Sequence, residues 1–145
     1  MCFRKIYIAS CFLLYGSSIF ASDIKIEGIE WSRDIAPLQY KVKFTVSWNN
    51  SWRNDKNYDA AWIFLKYVAP SYQQASYRHA KLMSGGHQLL MNYIKSSPDP
   101  AIEIPEDRVG FFIYPSTKHR GPVRWTIELA LDTSILREIL IPMTD

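Results

Sequence analysis

Cysteine is nearly missing from this sequence. The 145 residues hold two, Cys2 and Cys11, and none follows position 11. That excludes a disulfide framework, a cysteine nucleophile and a thiolate metal site from everything downstream. Strong charge of either sign is also missing: 17 lysines and arginines face 14 acids, for a formal net charge of +3. The densest basic run, Lys118-His119-Arg120, is three residues long and abuts Gly121-Pro122, so it reads as a solvated turn. Nothing here forms the basic stripe that nucleic acid requires. There is no internal repeat, long linker, low-complexity tract or Gly-x-Ser-x-Gly nucleophile elbow. No apolar run reaches the roughly 20 residues needed to span a bilayer.

What is present begins with an export signal. Arg4 and Lys5 open a short positive start, and an apolar run follows from Ile6 to Tyr15. Gly16, Ser17 and Ser18 loosen the chain before Ile19-Phe20-Ala21, which suits a signal peptidase. Residues 1–21 are therefore read as a signal peptide cleaved after Ala21, and 22–145 as one mature domain. Lipidation at Cys11 is disfavoured, because the apolar stretch before it is too short. Removing Arg4 and Lys5 leaves 15 basic residues against 14 acids, a net charge of +1. The expected location is secreted or periplasmic, at the cell envelope, with no stable membrane span after cleavage. A mature chain of 124 residues (145 less 21) is long enough to hold itself together by one core.

Period-two patterning dominates the mature chain. Leu38, Tyr40, Val42, Phe44, Val46 and Trp48 alternate with Gln39, Lys41, Lys43, Thr45 and Ser47, which is one apolar face and one wet face of a strand. Residues 123–131 alternate in the same way. Other strands are expected over 24–30, 60–68, 77–83, 101–104 and 109–114. The stretch 60–68 is apolar on both parities, which suits a central strand covered on both sides. Asn, Asp and Ser at 49–57 favour a loop, as do 34–37 and 96–100. Gly85-Gly86 marks a turn, and 115–122 a hairpin-like connection. Residues 87–94 and 135–141 fit either a short helix or a strand. The sum is an all-β chain, an antiparallel β-sandwich of about 6–8 strands with little helix.

Several site chemistries can be weighed from the residues. His79, His87 and His119 share no ligand spacing, so no metal site is assigned. Residues 54–59 offer oxygens, but Arg53 and Lys56 add opposing charge and no glycine supplies an EF-hand bend. Glu103, Glu106 and Asp107 beside Pro105 read as loop solvation rather than a glycosidase pair. No cofactor is implied. The strongest ligand chemistry is aromatic. Of five tryptophans, Trp52 sits in a polar loop beside Arg53, with Asp59 close by, and these three form the candidate ligand site. Trp48, Trp62 and Trp125 lie on strand faces and are expected in the core. There, Trp62→Ala would cost about 3–5 kcal/mol.

The run Ser47-Trp48-x-Asn50-Ser51-Trp52-Arg53, followed by Asn57-Tyr58-Asp59-Ala60-Ala61-Trp62-Ile63-Phe64-Leu65-Lys66-Tyr67, carries a resemblance. It is similar to the amino-terminal β-domain of exported Bacteroidota proteins. In many of those, this domain precedes a formylglycine-generating-enzyme-like (sulfatase-modifying-factor) domain. The resemblance continues at His79-Ala80, at 109–114 and at Val123-Arg124-Trp125, and so spans most of the mature chain in order. It implies a fold and a location. It implies no activity, because the enzyme's cysteines have no counterpart and residues 139–143 look like the junction to the domain that would follow. A truncated remnant of a longer gene is one expectation from this. The leading expectation is a non-catalytic accessory or interaction module with an envelope protein as partner. The alternative is a carbohydrate-binding module that takes a glycan with Trp52, Arg53 and Asp59.

Overall fold

The computed structural model describes residues 23–35, 38–69 and 76–132. The expected signal peptide and the expected final element at 135–141 lie outside these residues. Among the described residues there is no helix, and nine strands form antiparallel sheets. They are β1 (Lys25–Ile35), β2 (Leu38–Arg53), β3 (Ala61–Ile63), β4 (Lys66–Ala69), β5 (Ser76–His79), β6 (Gln88–Asn92), β7 (Pro100–Glu103), β8 (Phe111–Pro115) and β9 (His119–Leu131). The expected all-β sandwich is borne out. A four-stranded sheet in the order β1-β2-β9-β6 faces a three-stranded sheet in the order β3-β8-β7, and β4 and β5 form a separate two-stranded ribbon.

The core follows from the alternation. Val42, Phe44, Val46 and Trp48 of β2 and Val123, Trp125, Ile127, Leu129 and Leu131 of β9 are all buried. The register sets Phe44 opposite Ile127 and Val42 opposite Leu129, so both rows point the same way. They meet Ala61, Ile63, Phe111 and Ile113 of the opposing sheet in one cluster. Phe44 and Phe111 close the gap with ring centroids 6.3 Å apart, and Trp48 meets Trp125 edge-on at 5.4 Å. Each fully buried large side chain contributes about 1.5–3 kcal/mol, so this row carries the fold. On the far face of the large sheet, Lys41 pairs with Asp34 and Glu128, Lys43 with Glu30, and Arg124 with Glu27. The paired carboxylates raise the Lys41 and Lys43 ammoniums above their ordinary range.

Five local expectations need correction. Residues 49–53 are strand, not loop, because β2 absorbs them through a bulge. Trp48 opposes Val123 and Ser51 opposes Gly121, so β2 spends one residue more than β9 there. β1 likewise continues through 34 and 35, after a bulge at Gly28, whose φ of 62° suits glycine. The run 60–68 splits into β3 and β4. β3 ends its sheet and its outer face is open, so it is no doubly covered central strand. The strand expected over 77–83 stops at His79, and Lys81 and Leu82 make only isolated bridges, to Val109 and Leu131. Finally, 115–122 is not a hairpin: β8 and β9 belong to different sheets, and the chain crosses between layers there. Within 87–94, residues 88–92 form strand β6 and no helix.

Candidate functional site

The bulge in β2 decides where the predicted ligand residues point. Before it, even-numbered residues face the core; after it, odd-numbered ones do. Ser51 is fully buried, while Trp52 turns to the outer face of the large sheet, opposite Arg120, and is 40% exposed. Arg53 faces the other way. Its Nη1 donates to the Pro115 carbonyl at 2.8 Å, and its guanidinium rests on the Tyr58 ring at 4.8 Å and the Tyr114 ring at 5.3 Å. The Trp52 ring and the Arg53 charge therefore do not converge.

Asp59 acts as a local hub. Its carboxylate accepts from Trp48 Nε1 at 3.3 Å, Ser51 Oγ at 3.5 Å and the Trp52 backbone N–H at 2.9 Å. The Asp59 N–H returns a bond to the Trp52 carbonyl at 3.1 Å. The three groups it serves sit around the β2 bulge, where the ladder with β9 is broken. The neighbouring turn uses its oxygens the same way, since Asn54 Oδ1 accepts from the N–H groups of Lys56 and Asn57, and Asp55 pairs with Lys118. The oxygens at 54–59 serve the turn.

A different surface gathers the exposed aromatics. Trp62 of β3 opposes Phe112 of β8, which opposes Glu103 of β7, all on the outer face of the small sheet. Trp62 is 52% exposed, and Phe64 and Phe112 are exposed beside it. This corrects the expectation of Trp62 in the core. The Trp62 ring lies 5.0 Å from Phe64 and 6.5 Å from Phe112, the latter pair within 29° of parallel. Phe64 in turn meets His79 at 5.1 Å and the Lys66 ammonium at 5.5 Å. Further along β8, Tyr114 packs on Tyr58 at 4.4 Å and donates its hydroxyl to Glu103 at 3.2 Å. Burial first, and that bond to Glu103 second, push the Tyr114 phenol above its ordinary value.

Gly110 fixes this face from below. Its φ is 77°, and a Cβ there would stand 2.7 Å from the Ile63 carbonyl and 2.8 Å from Trp62 Nε1. Only glycine lets the chain leading into β8 pass so close beneath the indole. The signal for the aromatic face was present in the sequence. In 61–65 the aromatics take the even positions, Trp62 and Phe64, against Ala61, Ile63 and Leu65. In 111–114 the even positions are Phe112 and Tyr114.

His87 and Asp107 hold structural partners. His87 Nδ1 accepts from the Ala130 N–H at 3.2 Å, which makes Nε2 the protonated nitrogen that donates to the Met83 carbonyl at 2.9 Å. Asp107 caps the Val109 N–H at 3.0 Å. Among the described residues, no group of three or more His, Cys, Asp or Glu side chains is arranged to hold a metal ion. No helix among them is long and apolar enough to cross a membrane. Comparison with known protein families, curated proteins and solved structures finds no match.

Proposed function

We propose that this protein is a secreted, non-catalytic interaction module of the bacterial cell envelope, which engages an envelope protein through the aromatic outer face of its small sheet. The observation that carries this reading is the row of Trp62, Phe64 and Phe112 left open to solvent beside Tyr58 and Tyr114. Folding alone does not require large rings on a solvent face, and clustered exposed aromatics are the side chains that dominate binding energy at interfaces. The resemblance of 47–67 to the amino-terminal β-domain of the formylglycine-generating-enzyme-like group supports the same role. In that arrangement, the domain accompanies or presents another component.

The test is crosslinking of the exported protein in intact envelopes through Lys66, which lies beside Phe64. One specific crosslinked protein that disappears in Trp62→Ala and Phe112→Ala variants is expected. Crosslinks that survive both substitutions would place the interaction elsewhere. A glycan is the second reading, favoured by one observation: Trp62 and Phe112 offer nearly parallel faces, with the Glu103 carboxylate and His79 at their rim. Rings flanked by hydrogen-bonding groups suit the apolar faces and hydroxyl edges of sugars. Tryptophan emission titrated with a glycan panel separates the two. A saturable shift lost in Trp62→Ala assigns the face to sugar, and no shift with any glycan removes that reading.

A further inference from the structure

The two cations that border the aromatic row rest on rings rather than on acids. On the outer face of the large sheet, Lys41, Lys43 and Arg124 each have a carboxylate within 3.1 Å. On the small sheet, the exposed Lys66 ammonium stands 5.5 Å from the Phe64 ring. The half-buried Arg53 guanidinium stands 4.8 Å from the Tyr58 ring and 5.3 Å from the Tyr114 ring, with Nη1 on the Pro115 carbonyl. Among the described residues, no carboxylate pairs with either cation. The carboxylate that does lie on this face, Glu103, accepts from the Tyr114 hydroxyl. The two cations sit at opposite ends of the row. Ile63 opposes Phe111, which sets Phe64 beside Gly110, and a Cβ on Gly110 would stand 3.0 Å from the Phe64 Cβ. Tyr114 lies four residues further along, about 13 Å at about 3.3 Å per residue.

We infer that the partner of this face presents an acidic, extended segment of polypeptide, with one carboxylate on Arg53, a second on Lys66 and apolar side chains over Trp62 and Phe112 between them. This rests on the function proposed above and names the chemistry of the partner. A guanidinium carries five N–H donors in a fixed fork that matches a carboxylate, and the Pro115 carbonyl takes one of them. Two rings and that carbonyl already hold the Arg53 head in place, so little freedom is lost when an anion arrives. Charge complementarity therefore selects acid at both ends of an apolar row. The shape selects a chain. Sites for small ligands are concave, whereas this row runs along the open outer face of a three-stranded sheet. The span from cation to cation is at most about 24 Å, which about seven extended residues cover.

Two measurements on the exported protein test it. In the first, an end-capped eight-residue peptide of alternating glutamate and leucine is titrated against tryptophan emission, beside the same peptide with glutamine for glutamate. A saturable shift is expected with the acidic peptide, at least tenfold weaker with the glutamine peptide or in Arg53→Gln, and weakened by salt. Equal affinity for the two peptides, or no shift with the acidic one, overturns the inference. So does a shift with an oligogalacturonate and none with the peptide, which assigns the face to an acidic glycan. The peptide comparison uses the native chain and stands even if Arg53→Gln does not fold. In the second, a zero-length carbodiimide, which joins an amine only to a carboxylate in contact with it, is applied to intact envelopes. It should give the same crosslinked protein as an amine-reactive reagent, and Lys66→Arg should remove it. An amine-reactive crosslink that needs Trp62 and Phe112, with none from carbodiimide, overturns the acidic segment and leaves the proposed function standing. Crosslinks indifferent to Trp62 and Phe112 overturn both.

Discussion

Truncating Trp62 separates a core tryptophan from a surface one. A fully buried tryptophan cut to alanine costs about 3–5 kcal/mol, part from lost transfer energy and part from the cavity left behind. Trp62 is 52% exposed, so about half of its transfer energy is at stake. A side chain open to water leaves no closed cavity, and the second part falls away. Trp62→Ala should therefore cost about 1–2 kcal/mol, mostly from contacts with Phe64 and Phe112. Trp125 is the internal control, being fully buried and bonded through Nε1 to the Pro98 carbonyl. Trp125→Ala should cost about 3–5 kcal/mol. Urea unfolding measures both: with a slope of about 1–3 kcal/mol per molar, the two midpoints should differ by about 1 M at mid-range values and by no less than about 0.3 M. Equal losses would refute the placement of Trp62 on an open face and return that face to the core.

Three further perturbations probe the supports of the aromatic face and of the β2 bulge. Gly110→Ala forces a side chain into a positive-φ position against the Ile63 carbonyl and Trp62 Nε1; it should cost about 1–3 kcal/mol and shift tryptophan emission, and an unchanged spectrum would uncouple Gly110 from Trp62. Asp59→Ala strips acceptors from Trp48 Nε1, Ser51 Oγ and the Trp52 N–H; a loss of about 1–3 kcal/mol by chemical unfolding is expected, partly restored by Asp59→Asn, and a neutral effect would show that water replaces the carboxylate. Tyr114 has a folded pKa raised above 10.0, so the unfolded chain ionises first. Its contribution is whole below pH 10 and falls away as pH rises through the folded value. Tyr114→Phe should flatten that alkaline loss when unfolding is followed from roughly pH 8 to roughly pH 11, and an identical slope in both proteins would assign the loss to other groups.

The large sheet was legible because one physical rule generates it. Alternation over 38–48 and 123–131 places the same parity inward along each strand, and burial of Val42, Phe44, Trp125 and Ile127 follows. The resulting sandwich needs no knowledge of pairing partners. The candidate site was legible only as a composition of aromatic and polar residues around 47–67. Which ring faces water depends on counts that local sequence does not carry. One extra residue in β2 at 49–50 reverses parity and sends Trp52 outward. Whether a further layer packs over the outer face of β3 decides whether Trp62 is covered, and among the described residues that face is open.

Two apolar surfaces stay open among the described residues, the inner face of β1 and the outer face of the small sheet, and they differ in kind. On β1 the exposed large side chains are mostly aliphatic, Ile24, Ile26 and Ile29 with a single Trp31, and Ile26 and Trp31 stand opposite Val46 and Val42. That is the composition of a core, and a core is completed by burial without regard to orientation. On β3 and β8 the exposed side chains are rings, Trp62, Phe64 and Phe112, bordered by Glu103, Lys66 and His79. Rings carry directional faces, and their charged border fixes how a partner must approach. The first surface is thus a continuation of the core, and the second suits a ligand that comes and goes. If that division holds, substitutions on β1 lower stability and leave partner crosslinking intact. Substitutions at Trp62 and Phe112 do the reverse, at a modest cost in stability.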